Sequence, residues 1–280
     1  AVSSGEGIAG AWKANLSDLN VCSQKGLVER FDSTIGAGTV LMPFGGKYQL
    51  SPSEGMAAKL PVTKGDTDTC TLMSYGYDPD VSEWSPFHGA VAAVVESVAK
   101  IAAMGGDYSK IRMSFQEYFE KLGKVPEKWG KPLSALLGAY TAQHGLCIPS
   151  IGGKDSMSGT FMDMNVPPTL ISFALCTADP SRVVSSEFKK EGSRVILLRA
   201  ALDENKVHDF NQLGKMYKRV HELASEKRIL SAQSVRRGGI ASTISKMCFG
   251  NMLGFEFNRT DDIQSLFIPY YGSLVFEIDR

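Results

Sequence analysis

The stretch Ile151-Gly-Gly-Lys-Asp-Ser-Met-Ser-Gly159 decides how the rest of this sequence is interpreted. Its glycine pair, Gly152–Gly153, lets the backbone turn tightly and approach a ligand, because no Cβ stands in the way. Lys154 and Ser156 then supply a cation and a hydroxyl, which suit a phosphate or another anion. The stretch is not a P-loop, because Asp155 follows the lysine where a Walker motif requires Ser or Thr. Its chemistry therefore indicates either a phosphate contact or a plain tight turn.

The segments around this stretch predict alternating strands and helices. Residues 146–149 are a short apolar run, which predicts a strand ending in a turn. Residues 88–104 are almost continuously small or apolar, which predicts a largely buried helix that ends at a glycine pair. Residues 113–129 are expected to form another amphipathic piece. A helix over 132–144 is predicted to turn four large side chains inward, namely Leu133, Leu136, Leu137 and Tyr140.

The second half of the chain continues the alternation. Strands are predicted at 169–176, 194–198 and 274–278, and helices at 210–228 and 240–249. This pattern indicates an α/β class with mixed sheets. A polar, turn-rich segment near 180–192 predicts a boundary.

We expect three units on this basis. They are an extension over 1–20, an N-terminal domain over 21–184 and a C-terminal domain over 192–280. The C-terminal domain is either whole or truncated at its end.

Composition and charge describe an ordinary globular protein. Hydrophobic residues make up 43% and charged residues 21%, and thirty basic residues balance thirty acidic ones. The balance argues against nucleic acid as a partner, and no apolar run reaches the ~20 residues that span a bilayer. Five scattered cysteines without a Cys-x-x-Cys pair fit a reducing cytoplasm, with Cys147 and Cys176 expected in the core. The N-terminus shows neither a signal peptide nor an initiator Met, from which a truncated chain is expected.

Four segments together carry a family resemblance. Gly-Gly-Lys-Asp-Ser-Met-Ser resembles a signature of phosphoribosylformylglycinamidine synthase. Residues 85–106 resemble the turn and long helix of that family, 27–33 its segment with a metal-binding aspartate, and 237–250 the Gly-Gly element of its second domain. Their order and approximate spacing match over nearly the whole chain.

The resemblance implies a part of a larger enzyme. Such synthases contain two related halves, each with an N-terminal and a C-terminal domain of the aminoimidazole ribonucleotide synthetase type. Long forms add a glutaminase domain. The resemblance implies that this chain is most of the second half of a long form, whose partners are the first half and the glutaminase domain. The parent would be an ATP-dependent ligase that uses glutamine to convert formylglycinamide ribonucleotide into formylglycinamidine ribonucleotide in purine synthesis.

The family's second half can hold a magnesium-bound nucleotide at four positions, of which two are kept here. By resemblance, Asp32 and Glu96 match an aspartate and a helix glutamate that ligate the metal. Lys100 stands where the resemblance expects an asparagine, and Ser234 where it expects an aspartate. An ammonium group cannot ligate Mg²⁺, but it can pair with Glu96 across one helical turn.

Two interpretations of this site remain open. In one, Mg²⁺ or ATP/ADP is still bound, with Arg236 and Arg237 contacting phosphate directly. In the other, the site is emptied, and the cations neutralise the leftover carboxylates. The loss of two ligands favours the emptied site. The residues that could contact phosphate or nucleotide are then Gly152, Gly153, Lys154, Asp155, Ser156, Arg236 and Arg237.

The catalytic positions of the family are also altered. The resemblance aligns Asp80 with a catalytic histidine and Ser85 with a metal-binding glutamate, while His88 falls at a variable position. We therefore expect no catalytic residue in this chain. Alternatives are a silent scaffold or another ATP-using enzyme of the same fold, such as thiamine-monophosphate kinase or selenophosphate synthetase. The fold also leads us to expect a homodimer when the other half is missing.

Overall fold

The computed structural model describes residues 7–31, 34, 36–258 and 262–279. Its helices are α1 (Gly7–Ser17), α2 (Lys25–Val28), α3 (Pro79–Trp84), α4 (Pro86–Ala103), α5 (Pro126–Leu146), α6 (Phe210–Ser225) and α7 (Gly239–Phe249). Its strands are β1 (Phe44–Gly45), β2 (Ser51–Pro52), β3 (Met56–Lys59), β4 (Cys70–Gly76), β5 (Arg112–Tyr118), β6 (Ser150–Lys154), β7 (Thr160–Phe161), β8 (Met164–Asn165), β9 (Thr169–Ala178), β10 (Arg194–Leu198), β11 (Ile229–Ser234) and β12 (Leu274–Ile278). In the described part, no helix combines the length and the apolar character that crossing a membrane requires.

Two larger sheets organise these elements. One has five strands in the order β3-β4-β9-β5-β6, antiparallel except for the parallel pair β5-β6. The other has three antiparallel strands in the order β10-β12-β11. The mixed α/β class predicted from the sequence is confirmed.

Helix α4 lies at the centre of the main core. Ser85 caps its first turn, Pro86 occupies the first helical position, and Gly105 follows its end with a φ of +86° that glycine adopts without strain. The small residues along α4 let it pack closely against β4, β9 and α5. The buried cluster around α4 continues to Leu213 on α6 and Leu274 on β12. The helix predicted over 88–104 is therefore confirmed, with its start two residues earlier.

Helix α4 covers one face of the five-stranded sheet, and the other face is open. Alternate residues of β4 and β9 are buried against α4, as period-two packing requires. On the opposite face, Met73 pairs with Leu175 and Tyr75 with Phe173 across the two strands. Met56 extends this apolar row on β3. All five side chains are more than a third exposed.

The structure divides or shifts two of the predicted segments. Residues 113–129, expected as one amphipathic segment, are divided between strand β5 at 112–118, held between β9 and β6, and the start of α5 at Pro126. Residues 146–149 do not form a strand. Helix α5 runs to Leu146 and ends at Cys147 in the left-handed conformation, and the strand follows at 150–154.

The inward face predicted for α5 is also wrong. Leu133, Leu136, Leu137 and Tyr140 are exposed, and the buried side is made of small residues such as Ala135, Gly138 and Ala142. A Cβ at Gly138 would collide with the backbone carbonyl of Phe87 at the start of α4, so the two helices approach too closely for large side chains. Cys147 is exposed and not in the core, whereas Cys176 is buried as expected.

Candidate functional site

A cavity of about 550 Å³ lies where the β2–β3 turn, the end of β4, helix α4 and helix α7 meet. Its charged lining residues come from five separate places in the chain. They are Glu54, Asp78, Glu96, Lys100, Arg236, Arg237 and Lys246. Aromatic side chains, among them Phe44, Tyr75 and Tyr77, form part of its wall. Its size is that of a small-molecule site.

Glu96 and Lys100 form a buried ion pair on the inner side of α4. They are one helical turn apart, and the Lys100 ammonium lies 2.7 Å from Glu96 Oε1. Lys100 also donates a 2.6 Å hydrogen bond to the carbonyl of Tyr75 and lies 4.3 Å from the centre of that ring. Both side chains are at most 7% exposed. Lys100 therefore supplies the positive charge that neutralises Glu96.

Glu54 connects the β2–β3 turn to the loop after β11. Its Oε2 accepts a 2.9 Å hydrogen bond from the backbone N–H of Ser234, and its Oε1 lies 3.4 Å from Arg236. Although burial opposes the charge on Arg236, the carboxylates of Glu54 and Glu96 raise the pKa of this guanidinium. Arg236 therefore stays cationic inside the cavity.

Asp78 has a structural role at the opposite wall. Its Oδ1 accepts from the backbone N–H groups of Asp80 and Val81 and caps α3, and its Oδ2 accepts from the hydroxyl of Tyr271. Burial raises the pKa of Tyr271, so the phenol remains a donor. Arg237 lies 2.5 Å from Asp80 and 4.0 Å from Asp78. These contacts connect α3 to the loop that begins α7.

Lys246 lines the same cavity from the last turn of α7. Its ammonium makes no hydrogen bond or ion pair with any part of the chain that the structure describes. Burial, together with the nearby charge of Arg236, lowers the pKa of Lys246 to about 8. Lys246 is thus a cation without a counter-ion.

The structure brings together only some of the residues that the sequence singled out. Glu96, Lys100, Arg236 and Arg237 meet in the cavity, and Ser234 is buried beside it with a hydroxyl that lacks a partner. Gly152, Gly153, Lys154 and Asp155 lie on or just after β6 and are exposed, Ser156 follows them, and none of the five lines this cavity. Asp32 lies outside the described residues.

Asp80 and Ser85, which the resemblance aligns with a catalytic histidine and a metal-binding glutamate, make structural contacts. Asp80 pairs with Arg237. Ser85 caps α4, and its hydroxyl lies 2.8 Å from Nδ1 of His88. Nε2 of His88 in turn lies 3.0 Å from the carbonyl of Asn205. Asp80 and Ser85 therefore stabilise the local fold at the positions where the resemblance expects a catalytic and a metal-binding group.

Sequence reasoning missed Glu54, Asp78 and Lys246. Glu54 lies in a turn and Asp78 at a helix cap, where acidic residues are common on any surface. Lys246 carried a usable signal, because it is the single charged residue in α7, an otherwise apolar and small-residue helix. A lone cation on a buried helix requires a partner or a ligand.

The described residues do not fit a magnesium ion. Mg²⁺ requires several oxygen ligands in near-octahedral geometry. Glu96 is bound to Lys100, and the described part of the chain contains no group of three or more His, Cys, Asp or Glu side chains placed to hold a metal. What the cavity offers instead is a set of fixed cations.

A larger cavity, about 1010 Å³, lies between β10 and residues 253–258, 262, 265 and 266. Its wall combines hydrophobic residues such as Phe188 and Val195 with charged ones such as Arg194 and Glu256. The buried ion pairs and the unpaired lysine all belong to the smaller cavity, which we therefore treat as the candidate site.

Comparisons with known proteins support the resemblance found in the sequence. No protein-family model matches the chain. It is 22% identical over 262 residues to the phosphoribosylformylglycinamidine synthase subunit PurL of Picrophilus torridus, covering 88% of this chain and 34% of that protein. The chain thus spans about a third of the length of such curated relatives.

Solved structures with a similar fold include proteins in complex with nucleotides. Thermotoga maritima PurL complexed with ADP superposes with a TM-score of 0.70 at 13% identity, over 97% of this chain and 43% of that one. AaThiL complexed with AMPPCP and TMP gives a TM-score of 0.53 at 11% identity, over 91% of this chain and 84% of that one. The chain is similar in sequence to PurL subunits and has the aminoimidazole ribonucleotide synthetase-like fold.

Proposed function

We propose that this chain is the non-catalytic second synthetase half of a phosphoribosylformylglycinamidine synthase. The observation that carries the proposal is the structural use of Asp80 and Ser85, which stand where the resemblance expects a catalytic histidine and a metal-binding glutamate. Asp80 pairs with Arg237, and Ser85 caps α4. Neither group is placed to transfer a proton or to ligate an ion for catalysis.

In this proposal, the parent enzyme works in the cytoplasm and uses ATP, Mg²⁺ and glutamine. ATP activates the amide oxygen of formylglycinamide ribonucleotide as an iminophosphate, and ammonia released from glutamine displaces the phosphate. The first synthetase half carries this chemistry, and a glutaminase domain supplies the ammonia. The present chain completes the fold of the shared site through its domains at 21–184 and 192–280.

The open face of the five-stranded sheet is the surface that we assign to the other half. Met73, Leu175, Tyr75 and Phe173 form two cross-strand pairs on it, and Met56 extends the row. Exposed apolar patches of this kind mark interaction surfaces. A synthetase half with a similar face is the matching partner, and two copies of this chain would pair in the same way around a two-fold axis when that half is missing.

The emptied metal–nucleotide site belongs to the same proposal. Lys100 bonded to Glu96 supports it, because a fixed ammonium replaces the ion that would otherwise neutralise this carboxylate. Mg·ADP should bind weakly, and calorimetry that returns a micromolar constant, about −8 kcal/mol, would contradict the emptied site.

Reconstitution tests the proposed function. The chain alone should make no formylglycinamidine ribonucleotide from ATP, ammonia and the formyl substrate, and adding the separately produced first half should restore turnover. A matched control is Phe173→Lys, which should remove the restored activity while leaving the fold intact. Turnover by the chain alone that disappears in Asp80→Ala would show that this is the catalytic half.

The second candidate is another ATP-using enzyme of the same fold, of the thiamine-monophosphate kinase or selenophosphate synthetase kind. The observation in its favour is size, because the chain covers 84% of AaThiL. Against this candidate, the corresponding turns of such enzymes resemble Gly-Gly-Asp-Thr, whereas this chain has Gly-Gly-Lys-Asp-Ser. Consumption of ATP by the chain alone with thiamine monophosphate or selenide would favour this candidate.

A further inference from the structure

A stripe of large apolar side chains runs along the outer face of helix α5. It consists of five residues that are each between 48% and 63% exposed, namely Trp129, Leu133, Leu136, Leu137 and Tyr140. The opposite face of the helix packs against α4 through small residues such as Gly138. The stripe, which we call the α5 seam, is therefore left uncovered by the core of the chain.

The spacing of the α5 seam is that of a helix–helix contact. Four of its members follow one another at intervals of four, three and four residues, namely Trp129, Leu133, Leu136 and Tyr140. This is the a/d pattern of a heptad repeat, which keeps apolar residues on one line over several helical turns. A second helix packs along such a line at a crossing angle of about 20°. The shape of the seam therefore favours a helix as its occupant over a strand or a loop.

The area of the α5 seam fits one helix and is too small for a second whole copy of the chain. Five large side chains that are each about half exposed present on the order of 500 Å² of apolar surface. Exposed patches of this size on soluble proteins are often functional. A stable dimer of whole domains needs about 800 Å² from each partner. The seam also lies on the α4 side of the five-stranded sheet, so pairing through the open sheet face leaves it uncovered.

The lysines and glutamates of α5 all lie at its N-terminal end. Residues 120–131 contain four lysines and two glutamates, whereas residues 133–142 contain no charged residue. Lys121 and Lys124 are exposed, and neither forms an ion pair within the part of the chain that the structure describes. The N-terminus of a helix is also the positive end of its dipole. An antiparallel helix with acidic residues in its last turn would therefore match both the neutral seam and its cationic end.

We propose that the α5 seam is the docking site for an amphipathic helix of another polypeptide. The partner helix packs antiparallel to α5, with its own apolar heptad positions on the seam and acidic residues of its last turn over Lys121 and Lys124. This surface is separate from the open sheet face and from the candidate cavity. The proposal goes beyond the function given above and stands whether or not the chain is part of a synthase.

Fluorescence anisotropy on the full chain with designed peptides tests the proposal. The probe is a labelled, hydrocarbon-stapled helix of about three heptads, with leucine at the a and d positions, alanine and glutamine elsewhere and a pair of glutamates in the last turn. It should bind at micromolar concentration, and a peptide with the same residues in scrambled order should bind at least about ten-fold more weakly. A third peptide with lysines in place of the glutamates should bind about five-fold more weakly at low ionic strength. This last difference should shrink in high salt, because exposed charges are then screened.

A matched pair of variants locates the contact. Leu136→Glu places a charge in the middle of the α5 seam and should weaken binding of the glutamate-ended peptide by about ten-fold or more. Leu202→Glu is the control and should bind like the unmodified chain, because Leu202 is 52% exposed against 48% for Leu136 and lies outside α5. Circular dichroism and urea titration check that both variants fold. The comparison of peptides needs no variant, so it remains decisive if a substitution disturbs folding.

The proposal is refuted if the ordered and scrambled peptides bind alike, or if neither binds at about 100 µM. It is also refuted if a folded Leu136→Glu binds the peptide with unchanged affinity, since the contact would then lie elsewhere. Loss of self-association in light scattering by Leu136→Glu, but not by Phe173→Lys, would assign the seam to a second copy instead. Sedimentation with phosphatidylcholine vesicles that Leu136→Glu abolishes would assign it to a membrane. None of these measurements depends on synthase turnover, so the proposed function can fail independently.

Discussion

Replacing Lys100 by methionine is the sharpest test of the ion pair in α4. Methionine keeps most of the length and the apolar stem of lysine but removes the ammonium that lies 2.7 Å from Glu96. Glu96 would then be a buried carboxylate without a counter-ion, and the carbonyl of Tyr75 would lose its donor. Removing one partner of a buried ion pair lowers the free energy of unfolding by about 3–5 kcal/mol.

We expect Lys100→Met to lower the free energy of unfolding by about 3–5 kcal/mol in a urea titration followed by circular dichroism. The double variant Glu96→Gln/Lys100→Met should recover about 2 kcal/mol or more, because it removes the uncompensated charge. The matched control is Lys110→Met. Lys110 is 68% exposed and 3.6 Å from Asp107, so its loss should change stability by less than about 1 kcal/mol.

The reasoning fails if Lys100→Met costs less than about 1 kcal/mol, since a pair of that strength would be no better than a surface contact. It also fails if the double variant is no more stable than Lys100→Met. In that case, the loss would come from packing or from the Tyr75 carbonyl, and the charge of Glu96 would not be what Lys100 balances.

Three further predictions concern other buried or exposed groups. Glu277→Ala should destabilise the chain by about 3 kcal/mol in urea titration, because Glu277 is fully buried and accepts from the backbone of Lys189 and two serines; a loss below about 1 kcal/mol would contradict this. Burial and the neighbouring Asp155 raise the pKa of Glu117 to about 7, so the folded state favours the protonated acid, and stability that is present near pH 4 is lost as the pH rises through 7. Glu117→Gln should therefore stabilise the chain at pH 8, by at most about 3 kcal/mol, and change little at pH 5; equal effects at both pH values would exclude this cause. Phe173→Lys should convert a dimer into a monomer in light scattering without lowering the unfolding midpoint by more than a few tenths of a molar, whereas a monomeric unmodified chain would show that the sheet face does not pair copies of this chain.

The sequence predicted the elements whose signal is local. Helix α4 was predicted from its continuous run of small and apolar residues and from the glycines that end it, and β12 from its apolar run. The sequence predicts only an amphipathic segment at β5, because Phe115, Tyr118, Phe119 and Leu122 fit helical spacing as well as a half-buried strand. What makes it a strand is pairing with β9 and β6, and those partners are distant in the chain.

Helix α5 shows that hydrophobic periodicity alone does not predict which face of a helix is buried. Large apolar residues were assumed to point inward, but the closest packing against α4 admits only small side chains such as Ala135 and Gly138. The same limit applies to the cavity. Spacing along α4 brought Glu96 and Lys100 together, yet Glu54 and Lys246 join them through tertiary packing that no local motif encodes.

Because Lys100 neutralises Glu96, the stability of this part of the fold does not depend on a bound ion. A carboxylate neutralised by a bound ion couples folding to the concentration of that ion, through a contribution of RT ln(1 + [ion]/Kd) that chelation removes. Lys100 is attached to the chain, so its local concentration is constant and no chelator can extract it. The charge of Glu96 is therefore balanced at any magnesium concentration. The same attachment means that this ion pair cannot transmit a change in magnesium concentration to other parts of the protein.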